Sequence, residues 1–255
     1  MSSPTAPEYV DGHGLLSGRS VLITAAAGTG IGFAAAKRCV EEGAQVVISD
    51  SHERRLGEAA EQLGVPGIVC DVTDEAQVQS LFEGTLDALG GLDVLINNAG
   101  LGGTADVVTM TDEQWSRVID VTLTGTFRCT RAALRHMQAQ GHGVIVNNAS
   151  VLGWRAQAGQ AHYAAAKAGV MALTRCSAIE AAPFGVRVNA VAPSIAMHAN
   201  LARVTSDELL EDLTSREAFG RAAEPWEVAN VMVFLSSDYS SYLTGEVISV
   251  SSQHA

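Results

Sequence analysis

Tyr163 and Lys167 stand four positions apart in an Ala-rich, helix-length stretch over residues 160–182. Positions i and i+4 share one helix face, which brings the Lys167 ammonium near the Tyr163 phenol. A neighbouring cation stabilises phenolate, and the ordinary tyrosine pKa of about 10 is too high for proton exchange near neutrality. With that value lowered, Tyr163 can accept a proton from an alcohol or return one. Ser150 lies thirteen residues upstream, at the end of an apolar run over residues 143–149, and its hydroxyl is expected to hold the substrate oxygen. The plain alternative is a Tyr and Lys pair that only packs.

A second pattern points to a partner for that chemistry. After the first strand-like run comes Ala25-Ala26-Ala27-Gly28-Thr29-Gly30-Ile31-Gly32, leading into helical Phe33-Ala34-Ala35-Ala36. Glycine is needed where backbone approaches a pyrophosphate, and the following helix offers free N–H donors and a positive dipole end. By itself such a cluster is equally a tight turn; its place between strand and helix favours a dinucleotide. The next strand ends at Asp50, 18 residues beyond Gly32, where a carboxylate accepts hydrogen bonds from both adenosine ribose hydroxyls and repels a 2'-phosphate. NAD is therefore expected over NADP. His52, Arg54 and Arg55 follow, either as a solvated helix face or as groups that bend back to a phosphate. The positive charge of a nicotinamide would add to the effect of Lys167 on Tyr163.

The elements that must position these residues are legible in the hydrophobic pattern. Val- and Ile-rich runs over residues 20–25, 45–49, 67–70, 92–97, 143–149, 186–191 and 247–250 alternate with helix-length amphipathic segments. Continuous runs such as Val144-Ile145-Val146 fit strands buried on both faces, so the expected fold is α/β: a Rossmann-type, doubly wound, seven-stranded parallel sheet with helices on both faces. Thr73-Asp74-Glu75 and Thr111-Asp112-Glu113 read as helix starts. Residues 1–14, with Pro4, Pro7, Gly12 and Gly14 and no periodicity, are expected as a flexible tail, and residues 15–255 as one domain. The stretch of about 192–225, with a helix near residues 206–218, is expected as a lid that reads the substrate.

Composition sets limits. The 255 residues carry a net charge of −12, which argues against a nucleic-acid partner and mainly favours solubility. Cys39, Cys70, Cys129 and Cys176 are scattered without a Cys-x-x-Cys pair, which fits reduced thiols packed as small hydrophobes in a cytoplasmic protein. Seven histidines show no His-Glu-x-x-His cluster, so no catalytic metal is expected. No apolar stretch reaches the roughly 18 residues of a membrane span, and the first residues lack the pattern of a signal peptide.

Together the glycine turn, Asp71-Val72 after the third strand, Asn97-Asn98-Ala99-Gly100 after the fourth, Ser150 and Tyr163-x-x-x-Lys167 resemble the classical short-chain dehydrogenase/reductase family over about residues 18–250. The resemblance implies that Tyr163 exchanges the alcohol proton while hydride passes between substrate carbon and nicotinamide C4. It also implies that Lys167 holds the nicotinamide ribose, that Asp71 binds the adenine amino group, and that Val72 flanks the ring. Asn98 and Gly100 would line the adenosine ribose side, and backbone groups of Pro193 and Ile195 would bind the nicotinamide carboxamide. The sequence departs from the family where Val121-Thr122-Leu123-Thr124-Gly125 puts Thr122 in place of an Asn that serves a water-linked proton relay; a Thr hydroxyl can bind water or back-bond to its own helix. Ala25-Ala26, Pro193-Ser194 and Ser251-Ser252-Gln253 replace Thr-Gly, Pro-Gly and Asp-Gly-Gly.

Leu101, Leu152, Trp154, Gln157, His162 and Met197 would face the cleft in this fold and imply a bulky apolar substrate, with core packing as the rival role for Trp154. His198 would contact cofactor or substrate, or else sit on the lid surface. Gly141 and Phe184 occupy positions where the family's carrier-protein reductases place Arg, which lowers a 3-oxoacyl carrier-protein substrate, while Arg128, Arg131 and Arg135 are a solvated face or a grip for an anion such as coenzyme A. The wording of residues 24–30, 147–156 and 237–243 closely resembles an actinobacterial group linked to late steroid-ring degradation, which implies a hydroxy or oxo group on an indane-type acyl-CoA. A reductase of linear 3-oxoacyl thioesters is the nearest alternative, and a non-catalytic dinucleotide-binding sensor or scaffold the alternative of another class. Relatives pair the long helices over residues 112–138 and 160–182, implying a homotetramer or homodimer.

Overall fold

The computed structural model describes residues 5–197 and 207–252. Seven Val- and Ile-rich segments form one sheet: β1 (Ser20–Ile23), β2 (Gln45–Asp50), β3 (Gly67–Val69), β4 (Val94–Asn97), β5 (Gly143–Asn148), β6 (Val186–Pro193) and β7 (Val247–Val250). All neighbours run parallel, in the order β3-β2-β1-β4-β5-β6-β7. The chain winds outward one way from β1 and then the other way from β4. Their carboxyl ends therefore diverge into a crevice, where ligands of such sheets bind.

Both sheet faces are dry because alternate side chains feed two cores. Val21 and Ile23 face a core shared with α1 (Ile31–Glu41) and α8 (Pro225–Ser236), helices that pack on each other. Leu22 points to the other face and packs in the core that takes Val78 and Leu81 of α3 (Glu75–Leu89), Cys129 and Ala133 of α5 (Gly125–Gln140), and Ala178 of α6 (Ala161–Ala181). The remaining helices are α2 (Glu53–Leu63), α4 (Asp112–Ile119) and α7 (Asp207–Ser215). Asp74 caps α3 by accepting from Ala76 and Gln77, and Thr111 with Gln114 forms a capping box on α4, as the acidic starts anticipated.

Three features differ from the sequence reading. The helix expected unbroken over residues 112–138 is divided by a π-helical turn, Asp120–Thr124. Gly125, just after it, presses so closely on Val72 that a Cβ would lie 2.6 Å from its Cγ2. The segment expected as a free tail is anchored from Tyr9 onward. The Tyr9 hydroxyl bonds Glu41, its ring stacks edge-on against Trp226 of α8, and Arg38 of α1 donates to the carbonyls of Val10 and Asp11. Glu42 in turn accepts from the amides of His13 and Leu15. Gly12 crosses the end of α1 with no room for a side chain. Finally, Cys39, Cys70 and Cys129 are buried as expected, whereas Cys176 is exposed on α6. No helix among the described residues is long and apolar enough to cross a membrane.

Candidate active site

Ser150 lies two residues beyond the end of β5, with its side chain accepting from the Leu152 amide at the start of a single 3-10 turn, Val151–Gly153. That turn is pinned to α6: a Cβ on Gly153 would lie 2.7 Å from Met171 Cε. The contact brings Ser150 to the first turns of α6, where its side chain hydrogen-bonds Tyr163. Lys167 sits one turn further along the same face, its Nζ 5.6 Å from the Tyr163 ring centroid. Lys167 is 97% shielded from solvent, and its ammonium donates to the main-chain carbonyl of Asn148 at 2.6 Å. Burial pulls its pKa down to about 8.

The electrostatics of Tyr163 differ from the expectation of a lowered pKa. Burial raises the phenol above its ordinary value, and the Ser150 hydrogen bond works in the opposite direction without overcoming it. The Lys167 ammonium is engaged with Asn148 rather than with the phenol oxygen. It faces the Tyr163 ring from 5.6 Å.

Thr122 was expected either to bind a relay water or to back-bond to its helix. It does neither. Fully buried in the π-helical turn, its hydroxyl accepts from the Leu101 amide at 3.0 Å and donates to the Leu101 carbonyl at 3.3 Å. Thr122 thereby fixes the loop after β4, and Gly100 in that loop approaches Lys167 so closely that a Cβ would stand 3.3 Å from Nζ.

Two asparagine pairs tie these strands together, a feature that the motif reading passed over except for Asn98. Asn97 and Asn147 are register partners on β4 and β5, and their side chains meet on one sheet face at 2.9 Å. There Asn97 also donates to Thr130, and Asn147 donates to Thr174. On the opposite face Asn148 donates to Asn98 Oδ1 at 2.9 Å, and Asn98 donates to the carbonyl of Ala25 in the glycine loop. The visible signal was the repeated Asn-Asn at the carboxyl ends of two adjacent strands.

The cradle fits a dinucleotide on the chemistry of its own atoms. Gly30 caps α1 without any side-chain hydrogen bond, leaving first-turn amides open to an anion, and Gly28 has a left-handed φ of +97°. Gly32 lies where a Cβ would come within 2.4 Å of both the Ala25 carbonyl oxygen and Asn98 Nδ2, so only glycine lets loop, helix and β4 close together. Thr29 is exposed and Ile31 half-buried at the same rim. Asp50 ends β2 beside this loop, accepting from the Ala27 and His52 amides. The Asp71 carboxylate spends one oxygen on Thr73, and Val72 is buried beneath Gly125. Pro193 closes β6, and the Ile195 carbonyl accepts from Ala223.

Of the residues expected to meet substrate, Leu101, Leu152, Gln157 and Met197 are half-buried and Trp154 is 52% exposed. His162 differs: at 2% exposure it packs behind Gly103, whose added Cβ would stand 3.3 Å from Nε2, and it does not line open space. His198 lies outside the described residues. The described part of the segment expected as a lid is tied to the chain just beyond β7 by Glu217, a buried carboxylate that accepts from both the amide and the hydroxyl of Ser252.

Residues 25–252 match the family pattern described as "Enoyl-(Acyl carrier protein) reductase". The chain is 64% identical, over its whole length and that of the relative, to a (5R,7aS)-5-hydroxy-7a-methyl-1-oxo-2,3,5,6,7,7a-hexahydro-1H-indene-carboxyl-CoA reductase of Mycobacterium tuberculosis. It is 40% identical to a 3-oxoacyl-[acyl-carrier-protein] reductase of Thermotoga maritima, over 92% of this chain and 97% of that one. The crystal structure of a short chain dehydrogenase from Mycobacterium smegmatis superposes with a TM-score of 0.88 at 61% identity, over 98% of this chain and 99% of that one.

Proposed function

Because the chain belongs to the short-chain dehydrogenase/reductase family, we propose that it transfers hydride between a nicotinamide dinucleotide and a secondary alcohol or ketone on a bulky, steroid-derived acyl-CoA. The observation that carries the reading is the Ser150 and Tyr163 hydrogen bond with Lys167 one helical turn on, beside an uncapped glycine loop. Ser150 Oγ holds the substrate oxygen. Tyr163 gives its phenolic proton to that oxygen in the reductive direction and takes it back in the oxidative one. Lys167 stabilises the phenolate, and Asn148 holds Lys167. A bound nicotinamide supplies or accepts the hydride. Thr122, with its hydroxyl engaged at Leu101, positions the loop rather than carrying the proton onward.

Asp50 beside the glycine loop favours NAD over NADP. Of the three nearby basic groups, two have roles: His52 caps α2 and Arg54 pairs with Glu58. Asp71, Val72, Asn98, Gly100, Pro193 and Ile195 line the rest of the dinucleotide path. Trp154, standing out of the turn that begins at Ser150, together with Leu101, Leu152, Gln157 and Met197, supports a broad apolar substrate. The whole-length identity to a reductase of an indene-carboxyl-CoA supports the same choice over a linear thioester. Exposed Trp115, Phe127 and Ile179 on α4, α5 and α6 support assembly through these helices into a homotetramer or homodimer, as a cytoplasmic enzyme. The test compares NAD-dependent oxidation of a bicyclic hydroxyacyl-CoA with reduction of a linear 3-oxoacyl-CoA; a linear preference by orders of magnitude overturns the substrate.

A further inference from the structure

Asn147 and Asn148 are neighbours in β5 with different circumstances. Asn147 is fully buried and satisfied, its amide spanning Asn97 and Thr174 within the core. Asn148 keeps one bond, to Asn98, and leaves its own Oδ1 buried with no partner. An unpaired buried acceptor carries a desolvation cost that a hydrocarbon of the same shape would avoid. Packing alone therefore does not account for an amide at this position. Its connections do: the Asn148 carbonyl accepts from Lys167, its side chain holds Asn98, and Asn98 holds the carbonyl of Ala25. Ala25 has φ +51°, a strained left-handed conformation for a residue with a Cβ, so the loop's backbone is held by bonds of this kind and not by local preference.

We propose that Asn148 is a positioning residue that couples the dinucleotide loop to Lys167, so that the place of the loop sets the place of the ammonium. The chain of contacts runs from Ala25 through Asn98 to the Asn148 amide, and from the Asn148 carbonyl to Nζ. A shift of the loop moves the acceptor that holds Lys167. Asn147, one residue away but facing the opposite core, has no such connection. The proposal rests on the reading of the glycine loop as a dinucleotide cradle.

The test uses Asn148→Ala and the nearly isosteric Asn148→Leu, with NADH as the probe, or NADPH if the unmodified protein binds only that. Fluorescence titration from pH 6 to 10 gives the dissociation constant and the pH midpoint of binding, and thermal unfolding reports the fold. The expected result is a folded variant whose dissociation constant rises about fivefold, as for one lost hydrogen bond. Its pH midpoint moves by about half a unit or more as the Lys167 environment changes. A folded variant with unchanged affinity and midpoint overturns the proposal. So does failure of both variants to fold, since that would make the amide a packing requirement. If the unmodified protein binds neither dinucleotide, the functional reading itself fails, which is a distinct outcome.

Discussion

Lys167 donates a hydrogen bond from its ammonium to the backbone carbonyl of Asn148 at 2.6 Å and faces the Tyr163 ring from 5.6 Å. The lysine is thus anchored to the sheet, and the tyrosine, on the same helix face, is aligned by Ser150. Proton chemistry and strand architecture share one residue.

Burying the Lys167 charge costs stability at neutral pH. Its pKa in the fold, about 8, lies below the ordinary lysine value, so the unfolded chain binds more protons between those two values and stability rises with pH across that window. Replacing Lys167 with Met is expected to remove this rise and to stabilise the protein by about 2 kcal/mol at pH 7, with the gain fading towards pH 10. Urea unfolding of both proteins at the two pH values measures it; a parent and variant with parallel pH dependence would contradict the burial argument.

Tyr163→Phe removes the phenol that exchanges the proton while keeping the ring beside Lys167. Turnover is expected to fall by about 10³-fold, with dinucleotide affinity unchanged. Ser150→Ala takes away a hydrogen bond that lowers the phenol's pKa, so residual activity should shift its midpoint to higher pH. Rate measurements from pH 6 to 11 report both effects, and undiminished turnover in Tyr163→Phe refutes the mechanism.

At Ala25, φ is +51° and the side chain serves no hydrogen bond. Ala25→Gly relieves left-handed strain worth about 1 kcal/mol, partly offset by the greater freedom of glycine in the unfolded chain. Melting is expected to rise slightly, whereas Ala25→Val should lower it by several degrees.

Glu42 draws the chain before β1 onto α1. Burial pushes its carboxyl pKa up, but the amides of Leu15 and His13 and the Arg38 guanidinium together hold it below the usual carboxylate value. Its contribution is therefore complete above the unfolded carboxylate pKa and is lost as pH falls through the lower folded value. Glu42→Gln removes the nearer of two carboxylate partners of buried Arg38, leaving Glu41 at 3.4 Å, and is expected to cost about 2 kcal/mol at pH 7, less in acid. Denaturant titrations at pH 7 and 3 test the sign.

Thr122→Val keeps the shape of the π-helical turn but deletes both bonds to Leu101. Loosening that loop should raise KM for the bulky substrate by about fivefold, the scale of one such bond, with kcat little changed. A fall in kcat alone would instead assign the hydroxyl to proton transfer.

Much of this site could be read before any coordinates. Spacing alone put Tyr163 and Lys167 on one helix face, and continuous apolar runs located all seven strands to within a few residues, because parallel strands buried on both sides leave an unbroken hydrophobic trace. What escaped depended on contacts between distant segments. The π-helical turn runs into Gly125, which meets Val72 some fifty residues away, a contact that local pattern does not show. The anchoring of Tyr9 needs Glu41 and Trp226, which no periodicity brings together. The rise that burial imposes on the Tyr163 pKa could not be read along the chain, because burial is a property of the assembled core.

The paired asparagines at the ends of β4 and β5 also bear on how the chain finds its fold. Side chains on a strand alternate sides and paired residues share a face, so sliding β5 by one residue against β4 would flip its side chains and set Asn148 opposite Asn97, with Asn147 opposite Ile96 and Asn98 opposite Ala149. At most one of the two amide pairs between the strands could then re-form. Valine and isoleucine tolerate such a slip because every position is apolar; asparagine does not. The doubled pair acts as a key for strand alignment, and among otherwise interchangeable apolar rungs it leaves only one alignment in which these amides are matched.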